Sequence, residues 1–201
     1  FFAARAGGRT TPHAILLVGV VFNAIAAALL MLINALASYA QAHGVLFWIM
    51  GSLSPQSYGV VGAAAVYSLV GLGWLSWHAQ ALNLLASGEE AALHLGVEIE
   101  RTRRAVFVAA SLLVGAAVSM SGMIGFVGLI VPHLLRLLLG PDHRLLLPAS
   151  FLGGAVFLVW ADTLARTVLG HAELPVGVVT ALAGGPFFVF LLRRQLARGA
   201  A

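Results

Sequence analysis

Apolar runs of about 20 residues, interrupted by short polar breaks, recur from one end of the chain to the other. As helices rising about 1.5 Å per residue, such runs match the ~30 Å hydrocarbon core of a bilayer. Six spans fit the pattern: His13–Leu36, Gly59–Ala79, Ala105–Met120, Gly125–Leu139, Pro148–Leu169 and Pro175–Arg194. Pro148 is placed at the start of the fifth because the missing proline N–H would be unpaired in a first helical turn anyway. Between the first two spans, the charge-free connection Ala37–Tyr58 holds an amphipathic piece, VLFWIMGSLS, whose Phe47 and Trp48 fit an interfacial belt. The fourth span and its exit read GFVGLIVPHLLRLLLGPDHR: Pro132 and His133 follow an apolar run, Arg136 brings the first charge, and a Gly-Pro turn leads to Asp142, His143 and Arg144. This order predicts a helix too short to cross in comfort, leaving the bilayer through a tight polar exit. Because the runs are apolar all round rather than alternating, a transmembrane β-barrel fits poorly.

Composition agrees. Hydrophobic residues make up 61% of the chain and charged residues 9%, against roughly 25% charged in soluble domains. The expected class is therefore all-α, a polytopic transmembrane helix bundle forming one domain over residues 1–201. Every Lys or Arg position is an arginine, and crossing the membrane once per span places Arg5, Arg9, Arg101, Arg103, Arg104, Arg136, Arg144, Arg193, Arg194 and Arg198 on one side and Arg166 on the other. That asymmetry puts the arginine-rich side, with both ends of the chain, in the cytoplasm. It also accounts for the basic pI near 10.7 without a nucleic-acid partner. With no cysteine, a disulfide framework and a Cys-based metal or redox site are excluded. Small residues at helical spacing, including Gly122, Gly125, Gly128, Gly153, Gly154, Ala181, Gly184 and Gly185, read as close helix packing.

The one long hydrophilic segment, residues 84–104, breaks the apolar pattern most sharply. Ser87 is a candidate N-cap, Glu89 and Glu90 sit where a helix dipole favours acids, and Gly96 is a candidate C-cap. A short helix outside the bilayer follows, either a connector on the membrane surface or a docking element for a soluble cytoplasmic partner. Asp162 and Arg166 are four apart, close enough to pair; counted from Pro148, Arg166 lies about 27 Å along its span, within snorkelling reach of the outer interface. Glu173 adds a third charge there. The seven histidines form no convincing ligand motif, so no metal site is expected. Ser121-Gly122 is a weak match to an intramembrane serine protease, lacking both the preceding glycine and a placed histidine; no catalytic residue is expected. No Gly-Lys phosphate loop is present, so the chain itself should not hydrolyse ATP.

Five segments, LLASGEEAALHLGV, GFVGLIVPHLLR, DHRLLLP, ADTLAR and ELPVGVVTALAGGPFFVFLLRR, together resemble the permease family of type II ABC importers that carry iron-siderophores, haem and cobalamin. The resemblance covers residues 11–194 in order and spacing. It implies that Gly88, Glu89, Glu90, Ala91, Ala92, Leu93, His94, Leu95, Gly96 and Val97 form coupling helices docking into a groove of a separate ATPase subunit, which binds the ATP and Mg. It implies that Arg166, after Ala161-Asp162, receives a glutamate of a periplasmic or lipoprotein substrate-binding protein, with Glu173 nearby, and that Thr10 and Thr11 are the nearest candidates for the inner gate. Pro132, His133, Arg136, Asp142, His143, Arg144 and Asp162 belong to the family signature and shape helix ends. Further partners implied are a second permease copy and two ATPases, in a bacterial inner membrane; this chain itself is expected to bind no cofactor. Complete permeases of this family have ten spans, so these six are expected to be the last six of a longer protein. Iron-siderophore is the expected substrate class, with haem or cobalamin as alternatives. An ion-coupled secondary transporter is the rival class, and it would need ionisable groups near the midplane, whereas this chain keeps its charges at the rims, Asp162 being the nearest exception.

Overall fold

The computed structural model describes residues 5–6, 9–10, 12–168 and 174–199. Among the described residues, nine helices follow a two-residue pairing of β1 (Arg5–Ala6) with β2 (Arg9–Thr10), in antiparallel register Arg5 to Thr10. The helices are α1 (Pro12–Leu36), α2 (Tyr39–Met50), α3 (Tyr58–Trp77), α4 (Ala79–Ala86), α5 (Glu89–His94), α6 (Ile99–Ser121), α7 (Val127–Leu139), α8 (His143–Thr167) and α9 (Val176–Gly199). The helical class is as expected. Among the described residues, four helices are long and apolar enough to cross a membrane, within α1, α3, α6 and α8, while α7 and the apolar part of α9, Val176–Val189, are shorter. At about 1.5 Å per residue, α7 rises only about 20 Å, as its early charge implied.

Several boundaries differ from the expected ones, each for a local reason. The connection after α1 is itself largely helical: Ser38 and Gln41 form a capping pair, the Ser38 backbone N–H donating to Gln41 Oε1 at 3.1 Å. α6 begins at Ile99, inside the charged segment rather than at Ala105, because Ile99 and Thr102 are buried while the arginines between and after them face outward. Pro148 does not start its helix. α8 begins five residues earlier, since Asp142 is its N-cap and accepts a hydrogen bond from the Arg144 backbone N–H at 3.0 Å. Pro148 therefore sits inside α8, where it withholds one helical hydrogen bond. Ser87 closes α4 instead of capping α5, and Gly88, at φ 124°, takes the N-cap position.

The chain divides into two compact units, residues 1–47 and 48–201. In the first, α1 leaves large apolar side chains such as Leu17, Phe22 and Met31 exposed. In the second, α7 and α8 pack as an antiparallel pair, with α3 and α6 beside each other and α9 against both α7 and α8. Its buried apolar core is small and centres on Ala161, Ala165 and Val176, flanked by Leu53, Ile124, Leu158, Leu174 and Val179. Most remaining apolar side chains face outward, the arrangement that lipid and neighbouring helices favour.

At the end of the second unit where α6 stops and α9 starts, three backbones meet without room for side chains. The Ser52 N–H donates to Ser121 O at 2.9 Å, and the Gly177 N–H donates to Gly51 O at 3.2 Å. A Cβ on Gly122 would lie 1.9 Å from Trp48 O, and one on Gly177 would lie 2.1 Å from Met50 O. Gly122 also has φ 69° and ψ −161°, a region reserved for glycine. The irregular run from residue 51 to 57 is held by these backbone bonds rather than by secondary structure. Gly122→Ala and Gly177→Ala are each expected to destabilise the protein by about 2–4 kcal/mol. Gly154→Ala, whose Cβ would meet its nearest neighbour at 4.0 Å, should change stability by less than about 1 kcal/mol; thermal unfolding in detergent micelles separates the cases.

Candidate functional site

Candidate functional residues gather at the two ends of the second unit. At the arginine-rich end, α3 passes through His78 directly into α4, which lies over the start of α8. Gln80 and Asn83, three apart and so on one face of α4, reach α8 together. Asn83 Nδ2 donates to Asp142 Oδ1 at 2.6 Å, and Asn83 Oδ1 accepts from the His143 backbone N–H at 2.8 Å. The same oxygen lies 2.7 Å from His143 Nδ1, which donates when that nitrogen carries the proton. Arg144 Nη2 donates to Gln80 Oε1 at 2.6 Å. Asn83 thus serves as a second cap on α8, satisfying an N–H that the helix cannot satisfy itself.

The expected coupling segment, Gly88 to Val97, continues from α4. Glu89 and Glu90 occupy the first turn of α5. The helix closes through a Schellman motif: the Val97 N–H donates to Ala92 O and the Gly96 N–H to Leu93 O, both at 3.0 Å, with Gly96 at φ 80°. Ala92 is fully buried, whereas Leu93 and Leu95 are 59% and 65% exposed, beside the exposed Glu90, Ala91 and His94. Glu89 is turned back onto α6, where Arg103 donates to its carboxylate. An outward surface of two leucines and an acid on a six-residue helix has no hydrophobic neighbour of its own to bury it. Such a surface is typical of a protein contact.

At the opposite end, Arg166 Nε donates to Asp162 Oδ2 at 2.9 Å across one helical turn, and Arg166 Nη2 donates to Leu53 O at 3.0 Å. The ion pair expected from the spacing is therefore formed, with a third partner from the irregular 51–57 run that the spacing did not reveal. A cavity of about 160 Å³ opens beside it, lined by Ser52, Leu53, Ser54, Pro55, Asp162, Arg166, Leu174 and Val176. The arginine side chain is 43% exposed. A charged donor in a partly polar recess of that size can accept a carboxylate from another molecule through charge-assisted hydrogen bonds.

Comparison with known proteins places the fold in a family. A model of the FecCD transport family matches residues 1–194. The chain belongs to the FecCD transport family. It is 42% identical over 183 residues to the hemin transport system permease protein HmuU of Yersinia pestis, covering 90% of this chain and 54% of that protein. It is 44% identical over 197 residues to the cobalamin import system permease protein BtuC of Halobacterium salinarum, covering 97% of this chain and 52% of that one. A solved structure described as an inward-facing metal-chelate type ABC transporter superposes with a TM-score of 0.81 at 33% identity, over 92% of this chain and 60% of that chain. The chain spans about half the length of the curated relatives it matches.

Within this FecCD-family fold the expected site residues fall into distinct places. Asp142, His143 and Arg144 converge on α4, whereas Pro132 and His133 lie half-buried inside α7 and Arg136 is exposed on it. Gly88 to Val97 comprise α5 with its N-cap and its closing turn, and Asp162 joins Arg166. Thr10 lies in β2, while Thr11 and Glu173 lie outside the described residues. Asn83 and Gln80 were missed from the sequence; their signal was a pair of amides three apart on a segment otherwise apolar. The Asp142 carboxyl is held below its usual pKa of 3.8, first by the Arg144 backbone N–H and then by the Asn83 amide. A carboxylate with a depressed pKa adds stability that is fully present above its unfolded value and is lost as the pH falls through the folded one. Wild-type stability should therefore decline in that acid window, and Asp142→Asn should remove this part of the decline; thermal unfolding in micelles from pH 6 to about 3 checks it.

Proposed function

We propose that this chain forms part of the membrane-spanning permease subunit of an ATP-driven importer. It carries no ATP site of its own; ATP and Mg belong on two partner ATPases, which dock at Gly88 to Val97. The observation that carries this reading is the exposed Leu93, Leu95 and Glu90 surface of α5 at the arginine-rich end, which the arginine asymmetry assigns to the cytoplasm. At the outer end, Arg166 and its recess receive a carboxylate of a substrate-binding protein, with Glu173 close in sequence. Thr10 and Thr11 are the proposed inner-gate positions. A second copy of the permease completes the path, in the inner membrane of a bacterium with the present termini cytoplasmic.

The proposed cargo is a metal chelate of the iron-siderophore type. The relatives support the broader class, since those quoted are named for hemin and cobalamin and the solved structure for a metal chelate. Transport follows as a shift between outward-open and inward-open populations, driven by the difference in ATPase affinity for the two states. Ion coupling has weaker support. It needs an ionisable group near the midplane, and Asp162 is instead paired near the end of α8.

Glu90→Lys should cut ATPase co-purification at least about tenfold, because it reverses a charge at the contact. Unchanged yield would count against docking at α5. Arg166→Glu should weaken binding-protein affinity by a similar factor while ATPase co-purification stays normal, as read by surface plasmon resonance and pull-down. Uptake must stop when the ATPase is made hydrolysis-dead; uptake that continues would favour ion coupling.

A further inference from the structure

α8 is the element that reaches both proposed docking ends. Its first residues, His143 and Arg144, are bonded to α4, and its last turn carries Arg166, about 35 Å away along the helix. The α4–α5 hairpin has two polar routes into the bundle. One is the Glu89–Arg103 ion pair between α5 and α6, whose side chains are 61% and 46% exposed; an exposed pair holds geometry weakly. The other is Asn83, whose carboxamide uses both ends at once and engages Asp142 and His143 while Gln80 holds Arg144. Ala79, beside Gln80, is buried, so α4 is also packed at this point. α4 and α5 also pack on each other across the junction at Gly88.

We infer that Asn83 is the positioning residue that makes α4 and the start of α8 move as one body, so that displacement of α5 by the ATPase reaches Arg166 through α8. This rests on the reading of α5 as the ATPase contact. Asn83 acts through Asp142 and His143. The geometry specifies the polarity of the tie. The amide must donate to a carboxylate on one side and accept from an N–H on the other. Asn83→Asp keeps the acceptor for His143 but sets two carboxylates against each other. Adding Asp142→Asn removes the repulsion and supplies a donor opposite the new acceptor, after a small side-chain rotation because Asp142 Oδ1 serves both Asn83 and the Arg144 N–H; asparagine remains a good N-cap for α8.

The experiment uses the transporter reconstituted with its ATPase and substrate-binding protein. In Asn83→Asp, ATPase co-purification should be retained, while binding-protein-stimulated hydrolysis and uptake fall about tenfold, the loss expected for a broken charge-assisted bond. In the Asn83→Asp, Asp142→Asn pair, both should return to within about twofold of wild type, because the bonds are re-formed in the opposite sense. Gln80→Leu removes only the Arg144 bond; a fall of about threefold is expected there and keeps the test informative should Asn83→Asp fail to assemble. Unchanged stimulated hydrolysis in Asn83→Asp, or a pair that stays defective, overturns the transmitting role while leaving α5 docking intact. A pair that recovers thermal stability but not stimulated hydrolysis also overturns it, because the tie would then be structural only. Normal ATPase binding by Glu90→Lys overturns the docking reading instead.

Discussion

The carboxamide of Asn83 takes the place of water at the N-terminus of α8. A helix start leaves its first N–H groups unpaired, and at the edge of a bilayer those groups must find partners before the helix turns into the hydrocarbon. Asp142 supplies an acceptor from the chain itself, and Asn83 supplies a second from a segment 60 residues earlier. The result places α4 over α8, sets where α5 emerges, and starts α8 five residues before Pro148. Without that cap, the proline would be the natural helix start. The leucine and acid surface of α5 and the position of Arg166 both depend on where α8 begins.

The other end of the unit solves the same problem differently. Residues 51–57 have no helix to satisfy their backbone, so Ser52 and Gly51 bond to Ser121 and Gly177 across gaps that only glycine allows. That close approach brings Leu53 O within reach of Arg166. An arginine that bonded only to Asp162 could swing with its own side chain; Leu53 O on a fixed loop further defines where the guanidinium points. Side-chain polarity at one end and absence of side chains at the other thus anchor one helix at both termini.

The two ends also differ in what they leave open. At the arginine-rich end Asn83 and Gln80 bond to the start of α8, while Leu93, Leu95 and Glu90 stand exposed. At the opposite end an arginine is partly exposed beside a small recess. One surface fits a hydrophobic groove with a basic rim, the other a single carboxylate. The two ends of the unit thus present surfaces of different chemistry.

The chain by itself determined the membrane class, the apolar segments and the Asp162–Arg166 pairing, because each follows from hydropathy or a spacing of four. Gly96 as the end of α5 was legible for the same reason, since a glycine after an apolar face marks a left-handed turn. Only the tertiary structure decided what depends on distant residues: that Asn83 caps α8, that Leu53 holds Arg166, that α6 begins at Ile99 and that Ser87 ends α4. These are contacts between segments 60 or more residues apart, or boundaries set by burial. A one-dimensional pattern carries period and polarity, and neither encodes which amide will meet which helix end.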